Sequence, residues 1–167
     1  MILQKLLLKF CFPFLLVLGV KANSQSLTVS GSNWTVPITP ILEAGANHQG
    51  TYESNANQIL IAASVPLLLG SGKVSVHYEP NPAWNSSLIL SAKRTGNGTT
   101  LCVLCTLTGG TSYLAFTQTA VELFRIQAVL ALASYSNIPI QLQLSGVSVT
   151  IPASSYQSRV VFTISAL

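Results

Sequence analysis

Apolar and polar side chains alternate with period two along much of the chain. In residues 27–38, LTVSGSNWTVPI, Leu27 and Val29 alternate with Thr28 and Ser30 before a Gly-Ser-Asn turn signal. Residues 73–79, KVSVHYE, set Val74, Val76 and Tyr78 against Ser75 and His77. Residues 87–94, SLILSAKR, repeat the pattern with Leu88, Leu90 and Ala92. The longest run is IPIQLQLSGVSVTIP, residues 138–152. There Ile138, Ile140, Leu142 and Leu144 are followed, past a glycine, by Val147, Val149 and Ile151. SRVVFTISA, residues 158–166, adds Val160, Phe162 and Ile164. Successive side chains of a strand point to opposite faces, so each segment predicts a strand with one apolar and one wet face.

Gly, Pro and Asn fall between these runs, in LGSGK (69–73), EPNPAWNSS (79–87), RTGNGTT (94–100) and TGGTS (108–112), as loops require. GSGK lacks the full phosphate-loop frame and is expected to be a hairpin turn. Strand starts recur roughly every eight to fifteen residues, the spacing of a sandwich or barrel. Residues 119–134, TAVELFRIQAVLALAS, fit both periods. Their Ala and Leu content favours helix; the all-β surroundings favour strand, and tertiary context is expected to prevail. The predicted fold class is all-β, an antiparallel, immunoglobulin-like β-sandwich.

The N-terminus changes the picture of charge and compartment. Residues 1–20 carry Lys5 and Lys9 ahead of an apolar run from Phe10 to Val20, and Ala22-Asn23-Ser24 follows. That is the layout of a secretory signal peptide, with a retained membrane anchor as the alternative. The run is shorter than the roughly 20 residues that span a bilayer. The expectation is a signal peptide over residues 1–24 and one β-sandwich domain over 25–167, secreted or at the cell surface (through the periplasm in a Gram-negative host). No stable membrane span is expected after cleavage.

Eight basic and four acidic residues give a net charge of +4. Lys5, Lys9 and Lys21 belong to the leader, which leaves five cations (8 − 3) against four carboxylates, or +1. Lys73, Lys93, Arg94, Arg125 and Arg159 are too scattered for the basic face that nucleic acid requires. A polybasic membrane patch fails on the same count. Charged residues make up 7% of the chain, against about 25% in ordinary soluble domains. So low a charge leaves little barrier to association and favours a protein that works assembled or on a surface.

Candidate chemistry is sparse. Cys102 and Cys105, in LCVLC, stand three positions apart. In an oxidising compartment a local disulfide is favoured, and it requires the chain to bulge or turn there. Reduced thiols, a metal site and a redox pair are the alternatives. His48 and His77 are the two histidines outside any ligand spacing, and the chain has no Asp, so neither a metal cluster nor a triad is visible. No catalytic residue, metal or cofactor is expected. Trp84 and Asn85 lie in a loop where an indole could stack on a sugar ring; the competing role is a plug at the end of the core. Tyr52 and Glu53 are candidates for a polar loop site. Asn33, Asn85 and Asn97 begin N-x-[ST] triplets, which matter in a host that glycosylates them.

Residues 137–164, NIPIQLQLSGVSVTIPASSYQSRVVFTI, resemble the C-terminal end of secreted bacterial pilin-like domains of the chaperone–usher and spore-coat-U type. There a small-residue-x-Tyr step introduces a final alternating strand. Here the match is Ala153 to Tyr156, then Val160, Phe162 and Ile164. Two departures are cysteines three apart, where those domains often bridge distant strands, and a Ser-Ala-Leu terminus instead of an aromatic one. The resemblance implies a sandwich that donates a strand to a neighbour by edge addition. The candidate donor is residues 26–38, which could equally be strand one of a self-contained sandwich. The expected function is a non-catalytic structural or adhesive surface protein whose partner is another copy or a sister subunit. The alternative is a carbohydrate-binding module using Trp84 and Asn85 on a glycan, and a third reading is an enzyme inhibitor presenting a rigid loop.

Overall fold

A computed structural model describes residues 25–66, 70–128 and 133–167. The expected signal peptide lies outside these residues, as does the stretch 129–132 of the segment that fitted both periods. The described strands are β1 (Ser26–Gly31), β2 (Thr51–Glu53), β3 (Ile59–Val65), β4 (Ser71–Pro80), β5 (Ile89–Arg94), β6 (Thr99–Thr100), β7 (Cys105–Thr108), β8 (Leu114–Phe116), β9 (Val121–Ala128), β10 (Ala133–Ser145) and β11 (Ser158–Ala166). They form two antiparallel sheets packed as a sandwich. One has the order β1-β3-β10-β5-β8, with β2 and β6 also docked on β10; the other has the order β11-β4-β9-β7. The ambiguous segment is therefore strand over Val121–Ala128 and again from Ala133, and Thr119 and Ala120 precede the strand.

Alternation explains the core. Ile61, Ala63 and Val65 of β3 and Ile138, Ile140, Leu142 and Leu144 of β10 are buried from one sheet, and Val74, Val76, Phe124, Ile126 and Phe162 from the other. β10 is the central element. Its first part pairs with β3 and β6, and its last part with β2 and β5. A register shift between Tyr135 and Ile138 accommodates Asn137 at φ 56°, a bulge that lets one strand serve shifted partners.

Two sequence expectations are corrected. The GSGK segment is not a hairpin turn, because β3 pairs with β1 and β10 while β4 pairs with β11 and β9. The chain passes there from one sheet to the other. Val147, Val149 and Ile151 do not extend a strand. β10 ends at Ser145, where its partners β2 and β5 begin, so no ladder remains to continue. Gly146, at φ +82°, turns the chain away. Val147 and Ile151 still pack on the core from the connecting loop.

Register also decides which loops share an end. Val65 faces Ala133, Ser71 faces Gln127, Cys105 faces Ala128 and Thr100 faces Tyr135, so these strand ends lie at one pole. Ile89 and Thr51 face Ser145, and Pro80 faces Ser158, at the opposite pole.

Candidate functional site

The cysteine loop crosses between the sheets at the first pole. Thr100 anchors its entry: the hydroxyl donates to Ser134 O at 2.7 Å and accepts from Cys102 N at 3.1 Å. The chain turns at Val103 and Leu104 and enters β7. That turn brings Cys102 and Cys105 together with Cα atoms 5.4 Å apart, and a disulfide joins them. Among the described residues no helix N-terminus stands behind either sulfur, the feature that lowers thiol pKa in redox pairs. The bridge holds a tip on which Leu101, Val103 and Leu104 are 102%, 94% and 63% exposed. Beside it lies an open hollow of about 650 Å³, bordered by Ser134 and Ser136.

Arg94 ties together the neighbouring chain at residues 96–97 and 109, a role the sequence did not disclose. Its residue exposure is 5%. Nη1 donates to Gly96 O at 2.9 Å and to the Asn97 side chain, and Nη2 donates to Gly109 O at 3.0 Å. Burial lowers its pKa from the ordinary guanidinium value. The only advance signal was a glycine-rich stretch on either side, whose carbonyls are open to such a donor. Gly98 is required here, at φ +66°, since a Cβ would run into the Ser136 carbonyl.

The sequence-derived site residues lie toward the opposite pole and are not gathered together. Trp84 Nε1 donates to Leu88 O at 3.0 Å, and its ring lies 5.7 Å from that of Tyr78 at a tilt of 49°. The indole packs half-buried against the core. Asn85 Oδ1 accepts from Ser87 N at 2.9 Å, a local turn. Tyr52 and Glu53 are adjacent in β2 and so point to opposite faces. Tyr52 borders a hollow of about 320 Å³ together with His48. Glu53 accepts from Gln143 Nε2 at 3.1 Å on the wet face of the larger sheet. Among the described residues no hydrogen bond joins the Trp84 loop to β2.

That wet face carries a polar strip of Glu53, Gln141, Gln143, Lys93 and Tyr113. Lys93 Nζ sits 4.2 Å above the Tyr113 ring. Burial, reinforced by the charge and hydrogen-bonding of the neighbouring Glu53 carboxylate, pushes the Tyr113 pKa up to about 12. Alternation had marked Gln141 and Gln143 as outward-facing, but Lys93 and Tyr113 come together only through the pairing of β5 with β8. Elsewhere Glu79 is held below its ordinary pKa by its hydrogen bond to Arg159, and Glu122 by Arg125. His77 Nε2 lies 3.9 Å from Glu79. Among the described residues no three His, Cys, Asp or Glu side chains gather around a common point.

β1 and β11 edge their respective sheets and touch each other along one flank. Five of the six β1 residues are exposed. Residues 32–50, without strand, connect β1 to the rest. Comparison with protein-family models, with curated proteins and with solved structures finds no match.

Proposed function

We propose that the protein is a secreted, non-catalytic structural or adhesive surface component that associates with copies of itself, or with a sister subunit, by adding a strand at its β1/β11 flank. The observation that carries this reading is the chemistry of that flank. The fifteen residues of the two strands (6 + 9) hold a single charged side chain, Arg159, and no Lys or Pro. Their ladders to β3 and β4 run without a register shift. Exposed edges in monomeric sheet proteins are normally blunted by charge, proline or bulges, because unpaired backbone groups recruit further strands. The low total charge supports the same reading.

The carbohydrate alternative has less to rest on. The Trp84 indole is engaged in packing and in a hydrogen bond, and the Asn85 side chain in its own turn. Sedimentation of the wild-type chain beside a Val29→Lys/Val161→Lys variant tests the main reading. Oligomers in the wild type that disappear in the variant are expected. A wild type that stays monomeric at every concentration reached overturns it.

A further inference from the structure

The cysteine-loop pole combines features that the edge-strand reading leaves unused. Leu101, Val103 and Leu104 project from a turn fixed by a disulfide and by the Thr100 hydroxyl. The side chains bordering them are hydroxyls, those of Thr99, Thr100, Ser134 and Ser136. All four carboxylates lie away from this tip. Glu53 and Glu79 sit toward the opposite pole, Glu43 borders the Tyr52 hollow, and Glu122 lies opposite Ser75.

We propose that residues 101–104 form a bilayer-contact tip, with Leu101, Val103 and Leu104 entering the interface of a lipid membrane. A protein partner fits less well. Three aliphatic side chains at the rim of an open hollow fall short of the roughly 800 Å² per partner of a stable protein interface. A bilayer demands no matching shape and rewards apolar area alone. Uncharged hydroxyls around an aliphatic tip suit the headgroup boundary. Polybasic attraction is not invoked, so neutral lipid suffices. The proposal stands independently of strand addition, because the flank and the tip share no residue.

The test uses the full-length chain with Val103→Trp, titrated with phosphatidylcholine vesicles whose acyl chains carry bromine. The introduced indole is expected to shift to the blue and to be quenched beyond the wild-type signal of Trp34 and Trp84. Adding Leu101→Ser and Leu104→Ser should raise the lipid concentration for half-maximal quenching about tenfold. Leu101→Trp, at a fully exposed position, replaces Val103→Trp should the latter fail to fold. No quenching beyond wild type overturns the proposal. So does quenching that the two serines leave unchanged. A blue shift already present without vesicles also overturns it, since the tip would then be covered by a second copy or by the chain's own N-terminal segment.

Discussion

Reducing the Cys102–Cys105 bridge should lower the unfolding free energy by about 2 kcal/mol. The ring closed by the bridge holds four residues, given its sequence separation of three. The chain-entropy relation for n = 4 gives about −6.2 cal/mol/K, or about 1.9 kcal/mol at 25 °C. Reduction deletes no atom that packs, so Cys105 keeps its contact with the core and no cavity cost is added. Roughly 2.1 cal/mol/K of unfolding entropy per residue, over a domain of about 140 residues, converts 1.9 kcal/mol into a fall of about 6 °C in Tm. Thermal unfolding followed by far-UV circular dichroism, with and without a phosphine reductant, measures it. Hydrogen exchange should lose protection at residues 101–105 while β10 follows only the global change. An unchanged Tm would refute the reasoning, because the turn would then be fixed without the bridge. A fall beyond about twice the calculated value would refute it from the other side, since a four-residue ring has no more entropy to withhold.

Further outcomes follow from the core and the ionisable groups. Phe124→Ala, at a residue 1% exposed between the sheets, should cost about 3–5 kcal/mol in urea unfolding. Arg94→Met should cost about 1–3 kcal/mol, because the Gly96 and Gly109 carbonyls lose their donor; an equally stable variant would show that solvent satisfies them. Tyr113 has a folded pKa raised to about 12, so its contribution is complete below about pH 10 and is lost as pH rises toward 12. Tyr113→Phe should flatten that alkaline loss in a pH series of Tm while leaving Tm at neutral pH no lower. Glu79 and Glu122 have lowered pKa values, so their contribution is present above about pH 4.3 and lost as pH falls below it. A Tm series from pH 6 to pH 3 should show that loss, and Arg159→Gln should diminish it.

Strands were legible in the sequence where one face is buried and the other wet. β4, β11 and the part of β10 from Ile138 come nearest to that condition; β5 alternates in sequence although Ser91 is buried beside Leu90 and Ala92. β3 did not reveal itself. Its outward residues Leu60, Ala62 and Ser64 are mostly apolar, so no polar alternation marks the strand. β2, β6 and β8, at two or three residues, are too short to express a period. The reverse error occurred at residues 147–151, where alternation persists without a ladder to join. Pattern reports what a residue would bury, not whether a partner strand is within reach.

The candidate sites failed to be legible for a related reason. LCVLC offers five apolar side chains in a row, and only the turn at Val103 and Leu104 decides that Leu101, Val103 and Leu104 face outward while Cys105 faces the core. Tyr52 and Glu53 are neighbours in sequence, and the pleat that makes β2 a strand sends them to opposite sides. Trp84 looked available in a polar loop, yet its ring found Tyr78 from the neighbouring strand end. Most telling is the clustering of loops. The strand ends at Val65, Ser71 and Ala128 and the turn at 101–104 are distant in the chain, and nothing local says they share one end. That follows from three pairings, Val65 with Ala133, Ser71 with Gln127 and Cys105 with Ala128. A pole is a property of register, and register is set by tertiary pairing. The edge flank follows the same logic: β1 and β11 lie at opposite ends of the described chain and become one surface only when both sheets are assembled. In a protein with so few charges, function of the kind proposed here resides in which uncharged surfaces are brought together.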